Sequence, residues 1–535
     1  MGVHRAMVSV PVSDYTAGTY KVPPGSGLDG VVRVGAGPVY GSGTLLATGR
    51  HVLTAAHVVD DAPVSALSVR FDLPSGPVTI PVATRHMPVV TSGLNADIAV
   101  LGLASPAPVQ AGRFALYRDA DEVGRTVMIA GYGMTATGPT GEIASAASAK
   151  RFGYNTVDLP TDQVVNTRPA GWWVRPGSQL AIDFDDGTAA RDALGRLAGV
   201  PHVGLGAQEV LISRGDSGGP WLIDGKVAGV TSYIFRIVDR LAQPDINSRL
   251  DSSFGEMGSA QRVSHFAEWI DRTVQATLPG VPASAGQVAR EVAEGNAGTR
   301  LVYFLVELSN PGPGGGSVEF RTVDGTAHAG QDYIPVAGRL VLHPGETKAV
   351  VPVEVIGDTV AEGPETFFLE AFDPKGGEFP WGHTRLRAMR TIVDDDTPGL
   401  LAATMPVGRA DTAGHVGLVT SLYNAALDRA PEEAGLRFWA EHAAHGMDPV
   451  SMAANFLASG EFLARFGADP ASEPERLVTH LYRSAFERDP EAEGWSHWTS
   501  LLRQGMTPAE LLHALATSPE GRANAALIDN GLWYA

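Results

Sequence analysis

The chain has 535 residues, 44% of them hydrophobic and 19% charged, a composition of well-cored globular domains rather than of disorder. Its net charge of −19 argues against nucleic acid and anionic membrane as principal partners. There are no cysteines, so stability must come from the cores alone, and the length implies roughly three or four domains.

Residues 1–30 read as an N-terminal arm ending in the flexible joint Pro23-Pro24-Gly25-Ser26-Gly27. A domain over 31–275 follows; short strands with turn residues between them recur through 31–135, as in an all-β barrel. Val31 to Val34 begins the pattern, and Gly41 to Leu46 with His51 to Thr54 reads as a hairpin. That hairpin leads into Leu53-Thr54-Ala55-Ala56-His57-Val58-Val59. Next come Asn95-Ala96-Asp97-Ile98-Ala99-Val100-Leu101 and a strand over Met128 to Gly133. Asp183-Phe184-Asp185-Asp186-Gly187 offers carboxylates in a tight loop; it reads as a solvated acidic turn, with a calcium loop as the alternative. Arg214-Gly215-Asp216-Ser217-Gly218-Gly219-Pro220 sets a serine among glycines, whose backbone freedom lets the hydroxyl project while nearby N–H groups face a substrate. Phe266 to Ile270 predicts a short helix, and residues 276–284 a linker.

The His57, Asp97 and Ser217 segments, in that order, resemble the chymotrypsin/trypsin family of serine endopeptidases. The resemblance implies a double barrel in which Ser217 attacks a peptide carbonyl, His57 carries its proton and Asp97 orients His57. Backbone N–H groups of Gly215 and Ser217 would form the oxyanion hole, and catalysis would need no cofactor. It also implies a specificity pocket at Leu211, Ser232 and Ile234. Leu211 stands where an acid would select basic side chains, so a shallow apolar pocket for aliphatic residues is expected. In animal members a free N-terminal amine pairs with the acid before the serine, here Asp216; a cut near Gly30-Val31 would supply one, and activity with the arm attached is the alternative.

Residues 285–397 change character, with alternating runs such as Leu301 to Val306, Val350 to Val355 and Thr366 to Glu370 that predict a β-sandwich. Val292-Ala293-Glu294-Gly295, Gly330-Gln331-Asp332-Tyr333, Gly357 to Glu365 and Ile392-Val393-Asp394-Asp395-Asp396 resemble the Calx-beta domain, a calcium-binding module. The resemblance gathers Glu294, Asp332, Asp358, Glu362, Asp395 and Asp396 at one end of the sandwich as calcium ligands. A sandwich without metal is the alternative.

After a linker at 398–412, residues 413–535 repeat themselves at an offset of 59. The copies span 413–467 and 472–526. Leu422-Tyr423 matches Leu481-Tyr482, and Arg429, Gly435, Trp439 and Glu461 match Arg488, Gly494, Trp498 and Glu520. Val419, Leu422, Tyr423, Ala426 and Leu427 stand at helical spacing, so the segment predicts a small α-helical array with its aromatic residues in the core. It resembles a repeat of unknown function in bacterial exported proteins.

Together these readings imply an exported bacterial serine endopeptidase acting on protein or peptide, with a calcium-binding module and a helical module for a cell-surface or matrix partner. The alternative is an inactive protease-like adhesion protein. No stretch reaches the roughly 18 to 20 apolar residues needed to span a bilayer. No N-terminal secretory signal is visible, so the secreted or surface location would be reached by a type I route or after removal of a signal.

Overall fold

The computed structural model describes residues 9–11, 20–37, 39–89, 96–143, 149–167, 172–238, 243–284, 287–379, 384–396, 409–429, 431, 433–467, 469–486, 488–522 and 532–534. It divides into two units, 1–279 and 280–535.

Strand β1 (Ser9–Val10) opens the first unit. Six strands then close a barrel: β2 (Val31–Ala36), β3 (Val39–Leu45), β4 (His51–Thr54), β5 (Leu67–Leu73), β6 (Gly76–His86) and β7 (Ala99–Leu103), joined in the order β2-β3-β4-β7-β6-β5. Period-two patterning drives closure. Leu67, Val69, Phe71 and Leu73 of β5 point into the core, while Ser68, Arg70 and Asp72 do not. The second half carries β8 (Thr126–Gly131), β9 (Ala136–Thr137), β10 (Gly141–Glu142), β11 (Arg151–Thr156), β12 (Leu159–Pro160), β13 (Gln179–Asp183), β14 (Pro220–Ile223), β15 (Lys226–Phe235) and β16 (Met257–Arg262). Seven of them form one sheet in the order β11-β8-β14-β15-β16-β13-β12, and β1, β9 and β10 form a small one. The β14–β15 hairpin turns at Asp224 and Gly225, both at positive φ (50° and 73°), as a two-residue turn between right-twisted strands requires.

The two halves share a core. Leu53 and Val100 of the barrel pack with Ala130 and Val230 of the sheet, and helix Val263–Thr277 adds Val263, Phe266 and Ile270. This shared core fixes the seam on which the candidate site sits. The helix covers the sequence-expected stretch and is longer than expected.

In the second unit β17 (Glu291–Ala293), β19 (Gly316–Asp324), β20 (Ala337–Leu342), β22 (Glu365–Lys375) and β23 (Arg385–Val393) run in the order β17-β23-β22-β19-β20. A second layer pairs β18 (Gly298–Glu307) with β21 (Lys348–Gly357). Strand β24 (Leu532–Tyr534) pairs with β23. Phe304, Tyr333, Phe367 and Leu369 fill the sandwich, with the Tyr333 and Phe367 rings stacked at 4.4 Å.

Helices Arg409–Leu427, Glu433–Ala444, Pro449–Leu457 and Gly460–Phe466 precede Pro474–Phe486, Ala492–Arg503 and Pro508–Thr517. Leu422, Tyr423, Phe456, Leu481, Tyr482 and Leu512 are buried in one core, against which Trp439 and Trp498 pack in part. The repeated arginine has the same job in each copy. Arg429 grips Glu461 through two hydrogen bonds (2.7 and 2.8 Å) and lies over Tyr423. Arg488 grips Glu520 likewise (2.9 and 3.0 Å) and lies over Tyr482. Among the described residues no helix is long and apolar enough to cross a membrane.

Candidate active site and acidic clusters

Antiparallel pairing of β4 with β7 sets Thr54 opposite Ala99. The chain leaving β4 and the chain entering β7 therefore lie side by side, which brings His57 to Asp97. His57 is the second residue of a four-residue helix, Ala56–Val59, with its side chain 43% exposed, while Asp97 is 4% exposed. Asp97 Oδ2 accepts from His57 Nδ1 at 2.7 Å, and Oδ1 accepts the His57 backbone N–H at 2.9 Å. Burial opposes charge on both groups. Their mutual hydrogen bond and attraction prevail, so the His57 pKa is raised and that of Asp97 lowered. This assigns the Nδ1 proton to the Asp97 side and leaves Nε2 as the ring's basic nitrogen.

Ser217 stands three residues before β14, on the other half of the unit. Its Oγ lies 3.5 Å from Ser232 O, and it makes no hydrogen bond to His57 in this state. The loop around it is clamped to the barrel by Ser42 of β3. The Ser42 N–H donates to Ser217 O (2.8 Å), and its hydroxyl donates to Gly215 O (2.9 Å). Gly218 takes a left-handed φ of 87° with its N–H on Thr231 O (2.8 Å). Among the described residues the N–H groups of Gly215 and Ser217 donate to no protein acceptor. Two free donors beside a serine hydroxyl are the elements of an anion-stabilising site.

Asp216 is fully buried, which pushes its pKa up to about 7. It accepts from Gly133 N (2.6 Å), Ser213 N (2.8 Å) and Ser213 Oγ (3.1 Å), partners from its own half of the unit. Val31 is buried inside β2, paired with Thr44.

Leu211 is completely buried, its backbone bonded to Ser9 of β1 in both directions (2.9 and 3.2 Å), and its side chain lies in the core cluster against which Ile234 packs. The Ser232 hydroxyl donates to Asp97 Oδ2. Ile234 alone of the three is half-buried. The Ser232 contact is the functional detail that sequence reasoning missed; no local motif signals it, because its partner is far back in the chain.

In the second unit the acids fall into two groups. Glu294, Asp394 and Asp396 offer oxygens within 4.8 Å of one another, and so do Asp332, Glu362 and Glu365. Asp394 and Glu365 thus join the expected Glu294, Asp332, Glu362 and Asp396. Asp395 instead accepts the Gly295 N–H (2.9 Å), and Asp358 accepts that of Val360 (2.7 Å). The Asp396 N–H donates to Asp394 Oδ1 (2.8 Å), a local turn that the run of acids does not announce. Among the described residues Glu294 Oε1 and Asp396 Oδ2 are buried without a hydrogen-bond partner. Burial, with Asp358 and Asp394 next, raises the Glu294 pKa to about 7. An oxygen-only donor set with orphaned carboxylate oxygens fits a calcium ion.

The loop at 183–187 also departs from its expected solvated turn. Asp183 and Asp185 are buried, and only Asp186 and Gly187 of the acidic stretch face solvent.

Comparison with known proteins assigns each region. Residues 18–150 match the Trypsin family model, 289–396 the Calx-beta domain, and 413–466 and 453–525 a domain of unknown function, DUF4214. Sodium/calcium exchanger 2 of Rattus norvegicus is 38% identical over 98 residues, which is 16% of this chain and 11% of that protein. Sodium/calcium exchanger Calx of Drosophila melanogaster is 38% identical over 91 residues, 16% of this chain and 9% of that protein. The chain thus spans about a tenth of the length of these curated relatives. Two solved structures are similar over the protease-like region. The scabies mite inactivated protease paralogue S-D1 has a TM-score of 0.36 and 17% identity, over 49% of this chain and 98% of its own. Neuropsin, a serine protease expressed in the limbic system of mouse brain, has a TM-score of 0.35 and 18% identity, over 48% and 98%. In chain order, then, the protein carries a trypsin-like β-barrel region, a Calx-beta domain and a helical region matching DUF4214 twice.

Proposed function

We propose that the first unit is a serine endopeptidase in which His57, Asp97 and Ser217 act together on peptide bonds. The observation that supports it most is the His57–Asp97 pair, bonded through both carboxylate oxygens at the seam that also carries Ser217. In this reading His57 Nε2 takes the Ser217 proton as Oγ attacks the carbonyl, and returns it to the leaving amine. The negative oxygen that forms is received by the N–H groups of Gly215 and Ser217. The test is covalent labelling with a fluorophosphonate: labelling of the native chain, lost in Ser217→Ala and suppressed in His57→Ala, is the expected result.

A second reading, a protease fold without turnover, is favoured by one observation: Ser217 Oγ approaches Ser232 O rather than His57. Absence of labelling in the native chain would select it.

For the second unit the proposal is calcium binding by Glu294, Asp394 and Asp396, with Asp332, Glu362 and Glu365 as the second group. Calorimetric calcium uptake that falls in Glu294→Gln checks the proposal.

A further inference from the structure

The protease-like unit contains a third group of acids, unrelated to its candidate catalytic residues and separate from the groups of the second unit. Asp183, Asp185 and Asp192 are 1%, 2% and 4% exposed, and each offers an oxygen within 4.8 Å of the others. Asp158 and Glu209 are buried beside them, at 6% and 1% exposure. The backbone holds most of these carboxylates in place. Asp183 Oδ2 accepts from Leu194 N (2.6 Å), and Asp192 accepts from Gly195 N (2.6 Å) and His202 N (3.2 Å). Glu209 accepts from Asp185 N (2.7 Å) and Leu205 N (2.5 Å).

Asp185 is different. Both of its carboxylate oxygens are buried and neither has a hydrogen-bond partner among the described residues, and the same holds for Asp158 Oδ2. No Lys or Arg among the described residues pairs with any of the five. Protonation would remove the charge of Asp185 alone, and its O–H would have only the neighbouring acids to donate to. A cation satisfies both oxygens at once. From this geometry we propose that Asp183, Asp185 and Asp192, backed by Glu209 and Asp158, form a binding site for one calcium ion in the protease-like unit.

The donor chemistry selects the ion. All donors are oxygens, which suits a hard cation over zinc or copper. Carboxylates drawn from an irregular loop suit calcium, which accepts six to eight oxygens in flexible geometry, better than the near-ideal octahedron of magnesium. The position also suggests what the ion does. Glu209 lies two residues before Leu211, and Asn155 Nδ2 donates to both Asp183 O (2.7 Å) and Val210 O (3.0 Å). A cation held there ties the end of β13 and the loop after it to the segment that runs on to Ser217.

The experiment is calcium stoichiometry and thermal unfolding on the full chain, with calcium chloride against a chelated control. Wild type is expected to bind one calcium more than Asp185→Asn. At calcium about 100-fold above Kd, the transition of this unit should rise by about 5–10 °C in wild type and stay put in the variant. Asp186→Asn, which changes the exposed neighbour, should match wild type in both. If Asp185→Asn does not fold, Asp158→Asn reads the same difference through the other unpartnered carboxylate. Equal calcium counts in wild type and variant overturn the proposal. So does a magnesium-only response, or a chelated variant more stable than a wild type that ignores calcium; the last result would mark the group as a buried store of protons.

Discussion

Gly218 is the position where one added methyl group tests the most structure. A Cβ there would stand 2.2 Å from Ser42 O, 2.2 Å from Thr54 Oγ1 and 2.9 Å from Ala55 N. The residue also sits at a φ of 87°. The left-handed backbone costs a non-glycine residue about 1–2 kcal/mol. Forced overpacking adds about 1–3 kcal/mol, because Ser42 O cannot retreat while it accepts the Thr54 hydroxyl at 2.7 Å. Gly218→Ala should therefore lose about 2–5 kcal/mol, a fall in Tm of about 5–15 °C. The strain is relieved most directly by moving Ser217, and a displacement of about 1 Å at a reacting atom costs about 100-fold in rate. The assay is fluorophosphonate labelling rate together with thermal unfolding. Gly225→Ala is the control: its φ is 73°, nothing lies within 4 Å of the added carbon, and it should lose only about 1 kcal/mol with labelling unchanged. A Gly218→Ala protein that melts and labels like wild type, or a Gly225→Ala protein equally impaired, would refute the reasoning.

Three further outcomes are expected. Because Asp97 raises the His57 pKa, the acid limb of kcat/KM should have its midpoint above 6.5, activity falling as the pH drops through it. The same raised pKa makes the pair stabilise the fold below 6.5 and lose that contribution as pH rises through the folded value; an acid limb centred below 6.5 would contradict the assignment. Asp97→Asn should lower kcat about 10⁴-fold, the size known for this change in the type triad, since the amide favours the wrong tautomer; steady-state kinetics on a peptide substrate reads it. A double-mutant cycle on Arg488 and Glu520 should give a coupling of about 0.5–1 kcal/mol, since both side chains are more than 40% exposed, and the Arg429–Glu461 cycle should give a similar value.

What could be read in the sequence was what is local. The alternation of Leu301 to Val306, the hairpin of residues 41–54 and the helical spacing of Val419, Leu422 and Tyr423 each speak through neighbours a few residues apart. His57, Asp97 and Ser217 are visible for the same reason: each lies inside a short segment of distinctive chemistry. Contacts across long stretches of chain were not visible. Ser232 reaches Asp97 only because β15 and the barrel meet at the seam. Leu211 pairs through its backbone with Ser9 of β1, far back in the chain. Asp185 reads as a solvated loop residue until Glu209 and the chain around it close over it. Local polarity suggests exposure, and only the assembled fold decides burial.

Ser42 belongs to the barrel, yet it holds the carbonyls of Gly215 and Ser217 in the opposite half, and its hydroxyl receives the Tyr132 N–H (2.9 Å). The Ser217 loop is in this sense a strain gauge for the seam. A small parting of the halves releases that loop before either sheet loses a strand. Loss of fluorophosphonate labelling in denaturant should then run ahead of the loss of β-structure, and a ligand bridging the seam should protect labelling more than it protects the fold.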